Sequence, residues 1–173
     1  GSLVDSNVAD NSDGDGVSGE FLIAWSGTIT HNIVKNMSNG ILPMGSGGEV
    51  AFNNIGPITT SFDVSSHENA IETLGGTSPA WKIHDNVIHD GTGESMMLGN
   101  TGETDIVWNN VTWNWTGNAM HFAQNSGQTG ITLTYWNNII IPNAGNNCFV
   151  EVFSPTITTF TEQNNHCITT AAM

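Results

Sequence analysis

Short apolar runs recur along the chain, and an asparagine breaks each of them at a fixed offset. Ile29-x-x-Asn32-x-Val34, Val50-x-x-Asn53-x-Ile55, Ile83-x-x-Asn86-x-Ile88 and Ile106-x-x-Asn109-x-Val111 share one form. Thr134-x-x-Asn137-x-Ile139 and Thr161-x-x-Asn164-x-His166 are weaker copies. No segment sustains an apolar face at i, i+3, i+4 and i+7, so the pattern predicts short strands and minimal helix. The asparagines lie 21, 33, 23, 28 and 27 residues apart. Such intervals are too irregular for a coiled coil or a helical repeat, and they suit a solenoid whose turns carry loops of different lengths.

Each position of the motif has a physical reason. In a parallel solenoid every coil adds one strand to each sheet, about 4.8 Å above the last, and alternate apolar residues stack in the interior. Asn suits the bend between two sheets because it tolerates left-handed backbone and its amide bonds nearby backbone groups. Repeated from coil to coil, the amides can also pair as a ladder. Glycine-containing turns follow, at Ser38-Asn39-Gly40, Asp90-Gly91-Thr92-Gly93, Thr116-Gly117-Asn118 and Asn143-Ala144-Gly145. Short apolar strands come next, such as Met96-Met97-Leu98, Ala119-Met120-His121-Phe122 and Phe149-Val150-Glu151-Val152. An antiparallel sandwich also shows short strands, but it gives Asn no reason to recur at one offset. The reading is an all-β, single-domain right-handed parallel β-helix of about six coils, a stack of about 29 Å.

The segments Thr28-Ile29-Thr30-His31-Asn32-Ile33-Val34 and Trp81-Lys82-Ile83-His84-Asp85-Asn86-Val87-Ile88 resemble the parallel β-helix repeats of the pectate-lyase-like superfamily. The resemblance covers roughly residues 20–168 at the level of the repeat. It implies the fold and a leaning toward carbohydrates, and it names no reaction, because lyases, hydrolases, epimerases, tailspikes and adhesins share the architecture.

Charge narrows the partners. Sixteen acidic residues face two lysines, Lys35 and Lys82, and no arginine, for a formal net charge of −14. Nucleic acid binding needs Lys or Arg against phosphate, and anionic membrane surfaces are disfavoured for the same reason. A secreted or cell-surface location in a saline or calcium-containing medium fits this balance. With 38% hydrophobic residues and six tryptophans the chain has the composition of a folded domain. The resemblance implies Lys or Arg chemistry on acidic sugars for the lyases, and the absence of arginine argues against uronate elimination. If the chain turns over a glycan, glycoside hydrolysis is the expected chemistry.

Two kinds of candidate site emerge. His84-Asp85 and His89-Asp90 precede Glu94, so Asp85, Asp90 and Glu94 are the candidate acid and base residues for hydrolysis. The residues preceding each motif Asn form an expected column of His31, Phe52, Asp85, Trp108, Trp136 and Gln163. Within it Trp108 and Trp136, with Trp113 nearby, would present an indole platform to a polysaccharide or cell-surface glycan. Trp25 and Trp81 read as packing residues. Threonines at Thr28, Thr30, Thr132, Thr134, Thr158 and Thr159 add an ice-binding reading, which requires a regular array.

Residues 1–19 read as an acidic, flexible lead-in to a β-helix over 20–173, with Gly1-Ser2 as a tag scar and a loop insertion at 56–80. In the lead-in Asn11, Asp13 and Asp15 alternate as oxygen ligands do in acidic calcium loops, with Gly16 at the turn. Leu22 stands where the bidentate Glu belongs. Ca2+ is the one cofactor this suggests. Cys148 and Cys167 could pair in an oxidising compartment, but the coil alignment does not bring them to equivalent positions, and disulfide geometry is strict. Sequons stand at Asn36, Asn110 and Asn114. No capping helix is evident at either end, so flanking sequence or another protomer, as in a homo-oligomer, is expected to cover the open strand edges.

Overall fold

In a computed structural model the chain is an all-β parallel solenoid of about five turns, slightly fewer than expected. The structure describes residues 1–10, 20–58, 68–73, 79–117, 120–122, 128–143, 145, 148–151 and 156–168. Among these residues there is no helix, and every strand pairing is parallel.

Each coil turns through three faces. The first face stacks Ile71–Glu72, Met96–Leu98, Met120–Phe122 and Phe149–Glu151. The second stacks Ser2–Asp5, Ala80–His84, Thr104–Trp108, Thr129–Trp136 and Thr156–Gln163. Two longer strands, Glu20–Thr30 and Asn39–Ala51, run through both of these faces and join them into one 11-stranded sheet. The third face is a separate 7-stranded sheet that includes Val8–Asp10, Ile33–Lys35, Val87–Gly91, Val111–Trp115 and Ile139–Ile141.

Alternation along the second face sends one apolar column inward: Val4, Ile29, Val50, Ile83, Val107 and Tyr135 occupy successive coils in register. On the third face the inward column is Val34, Ile55, Ile88, Thr112 and Ile140, all buried. Each fully buried Val or Ile contributes about 1.5–3 kcal/mol of transfer free energy. The two columns face each other across the interior and form a single core.

The corner between the second and third faces carries the asparagine ladder. Asn7, Asn32, Asn53, Asn86, Asn110 and Asn138 each give a backbone N–H to the side-chain oxygen of the next member, ending on Asn165, at 3.0–3.1 Å. The residue before each one is left-handed: Ser6, His31, Phe52, Asp85, Asn109, Asn137 and Asn164 all have φ between 53° and 57°. The first three motif copies are therefore framed as expected, and the last three are shifted by one residue. The ladder uses Asn110, Asn138 and Asn165 where Asn109, Asn137 and Asn164 were expected, and Val107, not Ile106, points inward.

Three further expectations change. The first half of the lead-in is part of the solenoid, because Ser2–Asp5 pairs with residues 27–30 and Val8–Asp10 with Ile33–Lys35. The 56–80 insertion is not wholly outside the stack: Ile58 and Ile71 are fully buried, and Ile71–Glu72 pairs into the first face. Cys148 and Cys167 are joined by a disulfide with their Cα atoms 6.0 Å apart. The shifted frame explains that pairing, since Cys167 continues the inward column beyond Ile140, and Cys148 is a buried member of the same core.

Candidate functional site

The outer side of the ladder corner carries a row of rings, one from each of five successive coils. Two columns supply it. His31 and Phe52 are the left-handed corner residues of their coils, whereas His84, Trp108 and Trp136 sit one position earlier, at the strand end. The single column expected from the sequence is thus two adjacent columns, and it is the size of the rings that lets them meet. His31 lies parallel to Phe52 at 5.2 Å, Phe52 meets His84 edge-on at 5.6 Å, and His84 lies parallel to Trp108 at 4.0 Å. Trp108 and Trp136 follow at 5.6 Å with a 34° tilt.

This stacking changes the expected platform. Rings placed one above another along the solenoid axis turn their faces toward each other and their edges outward. Trp108 is covered on one face by the His84 imidazole and faces Trp136 on the other, so both indoles are only half-exposed. The row turns by 85° between Phe52 and His84, and Phe52 itself is 51% exposed. A ring face and ring edges therefore meet at one step on the surface.

Carboxylates line the row. His84 Nδ1 lies 2.8 Å from Asp85 Oδ2 and its Nε2 lies 3.0 Å from Glu49 Oε1. Asn109 Nδ2 donates to Asp85 Oδ1 at 3.3 Å. At the far end Asp5 accepts from Thr30 Oγ1 and pairs with His31 Nδ1, each at 2.9 Å. Hydrogen bonding to His31, then to Thr30 and Ser6, holds the Asp5 carboxyl below the usual carboxylate range. Glu49 was not singled out from the sequence; only the register, which sets it beside Lys82 and within reach of His84, reveals it. Beside the row lies a shallow trough of about 500 Å³, floored by Gly47, Gly48 and Ala80 and walled by Thr28, Glu49 and Lys82.

A smaller cluster occupies the opposite end of the third-face strand. His89 lies parallel to Trp113 at 4.9 Å, its Nδ1 is 2.7 Å from Asp90 Oδ2, and its Nε2 is 3.0 Å from Asn54 Oδ1. Asp90, Asn114 and Asn36 are left-handed, with φ of 56–59°. Asn114 Nδ2 donates to Asp90, and Asn36 Nδ2 donates to Asp10 at 2.7 Å. The Asn114 bond, then the His89 bond, holds Asp90 below its ordinary value.

Asp85 and Asp90 therefore mark two different bends of one coil, at opposite ends of Val87–Gly91, and do not share a turn. Glu94 lies further on, where its N–H donates to Asn69 Oδ1 at 3.1 Å. The three candidate acid and base residues are not brought together. Trp113 belongs to the His89 cluster and is separate from Trp108 and Trp136. Trp81 is buried in the core, as its reading as a packing residue requires. Of the sequons, Asn110 is buried in the ladder and Asn114 is exposed. Asn11, Asp13 and Asp15 lie outside the described residues. Among the described residues no group of three or more His, Cys, Asp or Glu is arranged to hold a metal ion.

No protein-family model, no curated protein and no solved structure matches this chain.

Proposed function

We propose that the chain is an extracellular β-helix module, of the pectate-lyase-like kind, that binds polysaccharide along the outer side of its ladder corner. The observation that carries this reading is the row His31, Phe52, His84, Trp108 and Trp136, one ring per coil, flanked by Glu49, Asp85 and Asn109. A glycan laid parallel to the solenoid axis would set its C–H faces on Phe52 and the indole flanks, and its hydroxyls would donate to the flanking oxygens. Asp85 and Asp90 stand at opposite ends of Val87–Gly91 rather than facing across one gap, which favours binding over hydrolysis by this pair. The disulfide supports an oxidising, secreted or cell-surface setting.

The test is affinity electrophoresis against a panel of neutral polysaccharides, repeated with the Trp108→Ala, Trp136→Ala double variant and with thermal melts as the folding control. At least one polysaccharide should retard the native chain, and the folded double variant should lose that retardation. Equal retardation of both removes the row from the mechanism. A chain that binds nothing, and whose mass by light scattering rises with concentration, would serve instead as a stalk or fibre segment.

One observation favours a second reading. Thr104, Thr132 and Thr159 are in register on successive strands of the second face, as are Thr134 and Thr161. The loops absorb the irregular intervals, leaving a regular patch of hydroxyls and methyls suited to ordering water or ice. Thermal hysteresis that vanishes in Thr132→Tyr would support it, and none at millimolar protein would remove it.

A further inference from the structure

The interior contains a pair of acids that no surface site uses. Glu103 and Asp105 are two residues apart at the start of Thr104–Trp108, so strand alternation points both side chains inward, and both are fully buried. Asp105 stands in register between Trp81 on one neighbouring strand and Leu133 on the other. Its Oδ1 accepts the Trp81 backbone N–H at 3.2 Å. Glu103 Oε2 accepts from Asn100 N and, at 2.8 Å, from Asn100 Nδ2, which also donates to Thr73 O at 2.7 Å. That leaves Asp105 Oδ2 and Glu103 Oε1 buried with no hydrogen-bond partner, on two side chains that alternate positions of the chain direct to the same side.

Two charged carboxylates side by side in a dry interior are untenable without a cation or a proton between them. The neighbouring lysine, Lys82, is exposed on the outer side of its strand. We propose that Glu103 and Asp105 hold a single shared proton inside the solenoid, and that this proton fastens the Asn100–Glu103 turn to the strand that ends at Trp108. The latch opens as pH rises.

The surroundings agree. Burial, and after it the charge of Glu103, pushes the Asp105 carboxyl well above the usual carboxylate range. On the strand above, Leu133 stands opposite Asp105, and the hydroxyl of Tyr135, two residues further along, is pushed well above its ordinary value by burial first and then by Asp105 and Glu103. Trp81 faces the pair from below and Asn100 from the turn, and neither titrates in this range. A raised carboxyl titration in the folded state stabilises the fold fully below the unfolded value and loses that contribution as pH rises toward the folded one. Because Asp105 and Trp108 share one strand, release of the pair would disturb the ring row three residues away.

The test follows the thermal midpoint of the full chain from pH 4.5 to 9 in high salt, which screens the general repulsion of a chain of charge −14 but not a buried pair. The native midpoint should fall as pH rises. Asp105→Asn, whose amide can donate to Glu103 while its oxygen keeps the Trp81 bond, should flatten that slope and exceed the native midpoint at the alkaline end. A slope unchanged in Asp105→Asn overturns the proposal, as does a native midpoint that does not fall. Infrared spectroscopy of the native chain gives a readout independent of the variant: a carboxylic-acid C=O band should persist at pH 7, and its absence overturns the shared proton. A slope abolished by added Ca2+ would assign the pair to a cation and would also overturn it.

Discussion

The side-chain oxygen of Asn86 accepts two hydrogen bonds from Asn53, one from its backbone N–H and one from its Nδ2, both at 3.0 Å. The Asn86 amide in turn donates to Val50 O at 2.9 Å and to Asn110 Oδ1 at 3.0 Å. One side chain thus satisfies two backbone groups of one neighbouring coil and links to the side chain of the other, at a bend where water is excluded.

Replacing Asn86 by Ala strands the Asn53 N–H and the Val50 carbonyl together. At about 1–3 kcal/mol for each buried group left unpaired, the variant should lose roughly 3 kcal/mol or more in urea denaturation. Asn7→Ala, at the exposed first rung, removes only the Nδ2 bonds to Asp5 O and Asn32 Oδ1 and should cost about 1 kcal/mol. Equal losses at the two positions would mean that burial does not set the ladder's strength.

The ladder also explains which part of the fold was legible in the sequence. In His31-Asn32 and Asp85-Asn86 a single Asn marks the corner, and in Phe52-Asn53-Asn54 only Asn53 sets Val50 and Ile55 at the apolar offsets, so the frame is unambiguous. In Asn109-Asn110, Asn137-Asn138 and Asn164-Asn165 the left-handed position is Asn as well, because Asn tolerates that conformation. The apolar pattern points both ways: Ile106 and Val111 favour Asn109 over the frame of Val107 and Thr112, whereas Tyr135 and Ile140 favour Asn138 over the frame of Thr134 and Ile139, so it does not choose one frame for all three copies. Register settled by coil-to-coil bonds decides it. The same limit hid the Glu49–His84 contact, made by residues 35 positions apart in the chain.

Gly91 should tolerate no side chain. Trp115 is fully buried in the adjacent coil and in register with Gly91, and a Cβ at Gly91 would stand 2.0 Å from the indole. The large ring cannot move without opening the core, so Gly91→Ala should destabilise by about 1–3 kcal/mol. A denaturation midpoint within error of the native chain would show that the indole has room to shift.

Reduction should loosen the last coils. The Cys148–Cys167 bond closes a loop with a sequence separation of 19. Chain-entropy reasoning assigns such a loop about 3 kcal/mol, and Cys148→Ser with Cys167→Ser should lose a comparable amount. Hydrogen exchange should localise the change to strands from Ile139 onward, while amides of the ladder near Asn53 keep their protection. Uniformly faster exchange along the whole stack would show that the coils open as one unit.

Acid should act at the corners, with a sign opposite to that of the buried pair. Asp90 is held below its ordinary value by Asn114 and then His89, and Asp5 by His31 and then Thr30 and Ser6. A depressed carboxyl titration gives stability that is present above the unfolded value, about 3.9, and is lost as pH falls through the folded one. The fold should therefore weaken below about pH 4 from these sites. Asp90→Asn removes the Asp90 share of the acid loss and leaves alkaline behaviour unchanged, because its carboxyl is far from the Glu103–Asp105 interior. Carboxyl chemical shifts measured by NMR across pH 2–6 would place the Asp90 midpoint directly. A midpoint at or above that of an unperturbed aspartate would mean that the Asn114 and His89 bonds do not persist in solution, and the His89–Trp113 stack would lose the partner that orients its imidazole.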